Sequence, residues 1–189
     1  LAALAHTVHV WSRQPYPELH DSVELEKIPS LDLWNDEAFF RLPTLAEMGD
    51  RINVGEWVRT ITGGFPEPLT FTQRVWRKYR QLPPEQRYDV VHDNQCLGDG
   101  LLPLQEVVPI VETVHHPITR DFKIALAATK SRWHRMGLRR WYTFIPMQIR
   151  VARQLDVLMT VSQKSARDIE EDFGLPHGRI RTIEIGVDM

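Results

Sequence analysis

Short apolar runs that break into polar residues at their C-terminal ends dominate this chain. Tyr88-Asp89-Val90-Val91 leads into His92-Asp93-Asn94-Gln95, and Pro109-Ile110-Val111-Glu112-Thr113-Val114 leads into His115-His116-Pro117. Between them, residues 97–108 contain Gly98 and Gly100 and then place Leu101, Leu102, Leu104, Val107 and Val108 at helical positions. The pattern predicts a strand at 89–92, a crossover helix in 97–108 and a second strand from Pro109, the unit that builds parallel sheets. In open parallel sheets, ligands sit outside the carboxyl ends of the strands. Both polar clusters, 92–95 and 115–119, fall at such ends.

The same reading extends along the chain. Val8, Val10 and Trp11 predict a strand closed by residues 12–17, and 23–28 alternates as a second strand. Residues 29–43 read as a loop with Trp34, Phe39 and Phe40. Residues 45–57 are weakly helical, interrupted by Gly49 and Gly55, and the breaker-rich stretch 62–68 excludes regular structure. A helix at 71–82 puts Val75, Trp76, Tyr79 and Leu82 on one side and ends at Pro83-Pro84. Residues 118–155 are helical with breaks at Gly137 and Pro146, 157–161 is a strand with Ser162 at its end, and 165–173 is a helix with Ser165 as its cap. Gly174 closes that helix, where a left-handed residue suits the end, and 179–185 is the last strand. The alternation argues an α/β sandwich with a mainly parallel sheet.

Composition narrows the class. A length of 189 residues suits one well-packed domain, and 42% hydrophobic with 25% charged residues is the balance of an ordinary globular chain. The formal net charge of −2 argues against a dedicated nucleic-acid binder. Cys96 is the single cysteine, which excludes an intrachain disulfide and fits a reducing compartment. No apolar run approaches the roughly 20 residues of a membrane-spanning helix. We expect a cytoplasmic protein. Residues 1–6 read as the tail of a helix rather than a signal peptide, so the chain is expected to begin after the first strand of its sheet.

Asp156-Val157-Leu158-Met159-Thr160-Val161-Ser162 and Ile183-Glu184-Ile185-Gly186-Val187-Asp188 complete a recognisable set with His92 and Thr113-Val114-His115. Together, over residues 88–188, they resemble the N-terminal domain of the family 4 glycosyltransferases, retaining enzymes of the two-domain GT-B fold. The resemblance implies a Rossmann-like three-layer sandwich spanning 1–189, and transfer of a sugar from a nucleotide-sugar donor to an acceptor with retention. It implies no cofactor, the nucleotide sugar being a substrate. The acceptor would be a sugar, a lipid-linked compound or a small molecule. It also implies a Gly-rich loop before residue 1 and a donor-binding domain beyond Met189, so that this polypeptide by itself is expected to be inactive.

His115 is the catalytic candidate, since the matching family histidine lies beside the reacting sugar; its plain alternative is a histidine bonded at a strand end for structure. It would bond a sugar hydroxyl or stabilise charge in an oxocarbenium-like transition state. His92, Asp93 and Asn94 are candidates for acceptor hydroxyls, against an Asn/Asp turn beside Gly98 and Gly100. His116 and Thr119 are candidates at the next helix N-terminus, where a phosphate could rest on free N–H groups. Adjacent strand residues point to opposite faces, so one of His115 and His116 faces the ligand unless the turn has begun. Ser162 matches a family position near the cleft. A metal held by His92, Asp93, His115 and His116 has the right ligand types but no specific spacing, and no metal is expected. Gly63-Gly64 lacks a phosphate-loop spacing.

Between Arg120 and Arg153 there are nine Lys or Arg and one acid, Asp121, interleaved with Trp133, Met136, Leu138, Trp141, Tyr142 and Phe144. Such a stretch suits the anionic inner face of a membrane. The plainer arrangement, which we prefer on periodicity alone, packs the aromatics inward and leaves the cations as a solvated face. Three readings follow: an acceptor-side glycosyltransferase domain, a non-catalytic module docking on anionic lipid or a partner protein, and a sugar-nucleotide epimerase, which fits Gly186-Val187-Asp188 less well.

Overall fold

In a computed structural model, which describes residues 4–35, 39–184 and 186, the apolar runs form parallel strands in two sheets. Strands β1 (Val8–Ser12) and β2 (Val23–Lys27) pair with Val8 opposite Val23. Strands β3 (Val91–Asn94), β4 (Ile110–Thr113), β5 (Val157–Thr160) and β6 (Arg181–Thr182) form the second sheet, in that spatial order and all parallel. Helices α1 (Arg51–Ile61) and α2 (Glu67–Tyr79) precede β3, and α3 (Leu101–Gln105) links β3 to β4. Helices α4 (Ile118–Ala128), α5 (Arg132–Trp141) and α6 (Ile145–Ala152) link β4 to β5, and α7 (Gln163–Phe173) links β5 to β6. This is the α/β arrangement of parallel strands that the alternation predicts, consistent with the Rossmann-like half that the resemblance implies. Among the described residues, no helix is long and apolar enough to cross a membrane.

The core lies where the four-stranded sheet meets α3, α6 and α7. Leu104, Ile110, Val151, Leu158, Ile169 and Phe173 are each at most 2% exposed, and burying each stabilises the fold by about 1.5–3 kcal/mol. The two-stranded sheet is tied to this body by side chains. Trp11 Nε1 donates to the Tyr88 hydroxyl at 2.9 Å, and Lys78 on α2 pairs with Glu26 on β2. Between α1 and α2 lies a buried ion pair, Arg74 Nη2 to Glu56 at 2.5 Å, with side-chain exposures of 5% and 7%. Glu56 also accepts the Leu31 N–H at 3.2 Å, which anchors the long loop after β2 to α1. A buried pair adds little over apolar packing, but losing one partner strands the other charge.

Several boundaries differ from the pattern, each for a local reason. Helix α1 runs through Gly55 because its start is set by Asp50, whose carboxylate accepts the Ile52 N–H at 2.9 Å. Helix α2 begins inside the expected breaker stretch, since Pro68 sits in its first turn, where the missing N–H has no helical partner to lose. Gly137 is the middle of α5; the break falls instead at 129–131, where Arg135 donates to the Thr129 carbonyl and Ser131 caps α5. Ser162, not Ser165, caps α7: its oxygen accepts the Ser165 N–H at 3.1 Å. Gly174 ends α7 at φ +62°, as expected. The last strand is only Arg181–Thr182. The expected helix tail at 1–6, the end of the 179–185 strand and Val187-Asp188 fall wholly or partly outside the described residues.

Strand β3 starts at Val91, whose N–H donates to Pro109 O at 2.9 Å, so His92 to Asn94 lie in the strand rather than after it. Helix α3 starts only at Leu101 because the preceding turn is pressed on α2. A Cβ on Gly98 would lie 1.9 Å from Pro68 O, and one on Gly100 would lie 2.1 Å from Thr72 O. Gly98→Ala is therefore expected to lower stability by about 2–3 kcal/mol through overpacking against backbone, read as a lower midpoint in thermal unfolding. An unchanged midpoint would show that α2 does not rest on this turn.

Candidate functional site

The carboxyl ends of β3 and β4 bring one cluster of polar side chains together. His115 lies just past β4, half-buried, and its Nε2 is 2.6 Å from Asn94 Oδ1. With the amide oxygen accepting, Nε2 is the donor in this bond. Gln95 grips the same backbone from β3: Oε1 accepts the His115 N–H at 2.7 Å, and Nε2 donates to His116 O at 3.2 Å. These bonds cross between neighbouring strand ends and hold the histidine against its neighbour strand.

The remaining expected residues divide by what their polar atoms already bind. His92 is exposed on β3, and its Nε2 lies 2.6 Å from Thr113 Oγ1. His116 is exposed, with Nε2 donating to Asp121 at 2.9 Å. Because β4 ends at Thr113, the turn has begun, and the two rings take separate partners. Asp93 is buried at 7% exposure, and its Oδ2 accepts the N–H groups of Cys96 at 2.9 Å and Leu97 at 3.0 Å. Thr119 is likewise buried at 7%, and its hydroxyl donates to Asp172 on α7 at 2.5 Å. Ser162 is half-buried at the end of β5, where it caps α7 and donates to Ser165 Oγ at 3.0 Å. Of the expected residues, His92, Asn94 and His116 are exposed and His115 is half-buried, while Asp93 and Thr119 are buried.

Two residues here escaped the sequence reading as individuals. Gln95 sits in the polar run that marks the strand end, but only its φ of +64° and its two bonds to the 115–116 backbone show it to be the clamp. Asp172 has no sequence signal beyond helical spacing on α7. It gathers Thr119, Lys123 at 2.7 Å and Arg120 at 3.5 Å, fastening the helix that follows His116. Burial alone would raise the Asp172 pKa, but the bonds from Lys123 and Thr119 and the Lys123 and Arg120 charges hold it below the ordinary value. Burial, followed by the Asp93 carboxylate, pushes the Cys96 thiol well up, which disfavours its thiolate. Among the described residues, no three His, Cys, Asp or Glu side chains converge as a metal-binding set.

Comparison with known proteins agrees with the α/β fold. The family model for Glycosyltransferase Family 4 matches residues 1–189. The chain is 49% identical over 191 residues to the MMP alpha-(1->4)-mannosyltransferase of Mycolicibacterium hassiacum, a match covering 100% of this chain and 46% of that protein. The chain therefore spans about half the length of the curated relative it matches.

Asp172→Asn is expected to cost about 1–3 kcal/mol at pH 7, through weaker charge-assisted bonds to Thr119 and Lys123. A depressed folded-state pKa stabilises the fold above the unfolded value and loses that contribution as pH falls through the folded value. The gap between variant and wild type should thus close as pH falls below 3.8, the unshifted aspartate value. Denaturant titrations across that range check it; a gap independent of pH would contradict it.

Proposed function

The chain belongs to glycosyltransferase family 4, and from that premise we propose that the intact protein is a retaining mannosyltransferase using a nucleotide sugar. In the reaction, an acceptor hydroxyl oxygen bonds to the anomeric carbon while the bond to the nucleotide diphosphate breaks. The hydroxyl proton leaves with the departing phosphate. The choice of mannose follows the named relative, and the present domain supplies the acceptor side of the cleft. No cofactor enters the reading; the donor is a substrate.

The observation that carries this reading is the His115 clamp at the ends of β3 and β4, where a parallel sheet offers its ligand site. Asn94 and Gln95 fix the ring and the peptide of His115, so the imidazole meets a sugar with little reorganisation. His92, Asn94 and His116 supply groups for acceptor hydroxyls, with Asp93 and Thr119 shaping the loops beneath them. Ser162 borders the site from the neighbouring strand end. A sugar, a lipid-linked compound and a small molecule all present the hydroxyl that this chemistry needs.

A second reading concerns where the protein works. Helix α5 leaves Trp133 77% and Met136 56% exposed, three residues apart on one face, and Ile124 on α4 is 67% exposed. Only part of the aromatic set packs inward: Phe122 stands 4.9 Å from Tyr142, whereas Trp141, 5.0 Å from Phe65, remains 46% exposed. Lys130, Arg132 and Arg139 are exposed beside the bare apolar side chains. That mixture suits an anionic bilayer surface, with helix α5 lying in the headgroup plane. It would place the enzyme peripherally at the membrane, or serve a non-catalytic docking role.

In the intact protein, nucleotide release from a panel of nucleotide sugars should rise with one donor and its acceptor. His115→Ala should lower kcat by about 10²–10³-fold with an unchanged unfolding midpoint; near-normal turnover would remove His115 from the reaction. For the second reading, Arg132→Glu with Arg139→Glu should weaken co-sedimentation with phosphatidylserine vesicles more than about tenfold, at about 1 kcal/mol per cation near the surface. Equal sedimentation of wild type and variant would discard the membrane contact.

A further inference from the structure

We propose that Glu112 is a positioning residue, a neutral acid donating to Asp93 so that the pair holds the turn that aims His115. The inference rests on the function proposed above and deepens it. Glu112 sits in the middle of β4 at 0% exposure, opposite Asp93 in the parallel register, so both side chains occupy one face of the sheet. Its carboxyl group faces the Asp93 carboxylate and the Gln95 peptide, with neither oxygen yet in hydrogen-bond geometry among the described residues. No Lys, Arg or His among the described residues forms an ion pair with it. A carboxylate so placed takes up a proton rather than stay charged. Burial, then the neighbouring Asp93 charge, drives Glu112 well above the ordinary glutamate range.

Proton placement between the two acids follows from their other contacts. Asp93 Oδ2 accepts two backbone N–H groups, from Cys96 and Leu97. Its other oxygen is left for the Glu112 hydroxyl.

The turn they hold is strained. Gln95 at φ +64° and Leu97 at φ +49° are left-handed without being glycine, a conformation that persists only where the surroundings over-determine it. Asp93 fixes one side of the turn, and Gln148, 4% exposed, donates to Cys96 O at 3.1 Å on the other. From this turn the Gln95 side chain reaches the backbone of His115 and His116. With the proposed Glu112–Asp93 bond, a continuous set of contacts runs from Glu112 through Asp93 and the turn to Gln95 and the histidine.

Glu112→Gln keeps a donor for Asp93 and removes only the acid, whereas Glu112→Ala removes the donor. In the intact protein, Glu112→Gln should keep kcat within about twofold. Glu112→Ala should lower kcat by about tenfold to 10²-fold, the size of a small misplacement, with the donor KM little changed. A Gln variant as slow as the Ala variant, or an Ala variant as fast as wild type, overturns the proposal. An infrared difference spectrum, wild type minus Glu112→Gln at pH 7, gives an arm independent of turnover and of the Ala variant's folding. A protonated carboxyl band is expected, and an ionised carboxylate band overturns the proposal. Absence of turnover with every donor would defeat the mannosyltransferase reading while leaving this spectrum as the test.

Discussion

The turn between β3 and α3 is the constraint on which fold and site both depend. On its outer side, Gly98 and Gly100 let the backbone of α2 approach to a distance that no side chain allows. On its inner side, Asp93 accepts two successive N–H groups that would otherwise be stranded by burial. Two non-glycine residues are forced into left-handed backbone between these anchors. The same turn then projects Gln95 across to β4. Packing of a helix, satisfaction of buried backbone and placement of the candidate histidine are thus solved by eight consecutive residues, 93–100.

Around that turn the molecule uses charge where it joins elements and apolar packing where it fills space. The sheet and its helices meet over aliphatic side chains with almost no exposure, while the α1–α2 and α4–α7 junctions carry ion pairs on buried acids. Glu56 with Arg74, and Asp172 with Thr119, Lys123 and Arg120, set how helices sit rather than how strongly the core holds. Arg41 gripping Glu47 at 2.6 Å does the same for the long loop after β2, and holds the Glu47 pKa down to about 2.

Much of this was legible beforehand. The β-branched runs ending in His92 and His115 marked adjacent parallel strands through their strand–crossover–strand spacing, although the edge strand β3 is only partly buried, and the strand-end rule then located the polar cluster. Individual roles were less legible, because a side chain's partner lies far along the chain. Thr119 reads as a phosphate-binding residue until α7 brings Asp172 to it, 53 positions away. Ser162 and Ser165 are interchangeable as caps on paper, and only the backbone of 162 in extended conformation separates them. Glu112 looks like a polar interruption in a strand; burial beside Asp93 is what makes it chemical. The aromatics of 120–153 could not be assigned a face by periodicity, and Trp133 proved to lie outward while Phe122 packs on Tyr142.

The central claim is spatial: the reacting sugar sits against the His115 ring at the ends of β3 and β4. A crystal structure of the intact protein with an inert nucleotide-sugar analogue and an acceptor tests it most directly. The account predicts a sugar hydroxyl within about 2.6–3.2 Å of the His115 imidazole, with Asn94 and Gln95 still holding the residue. A sugar bound elsewhere, with His115 facing only protein, would contradict it.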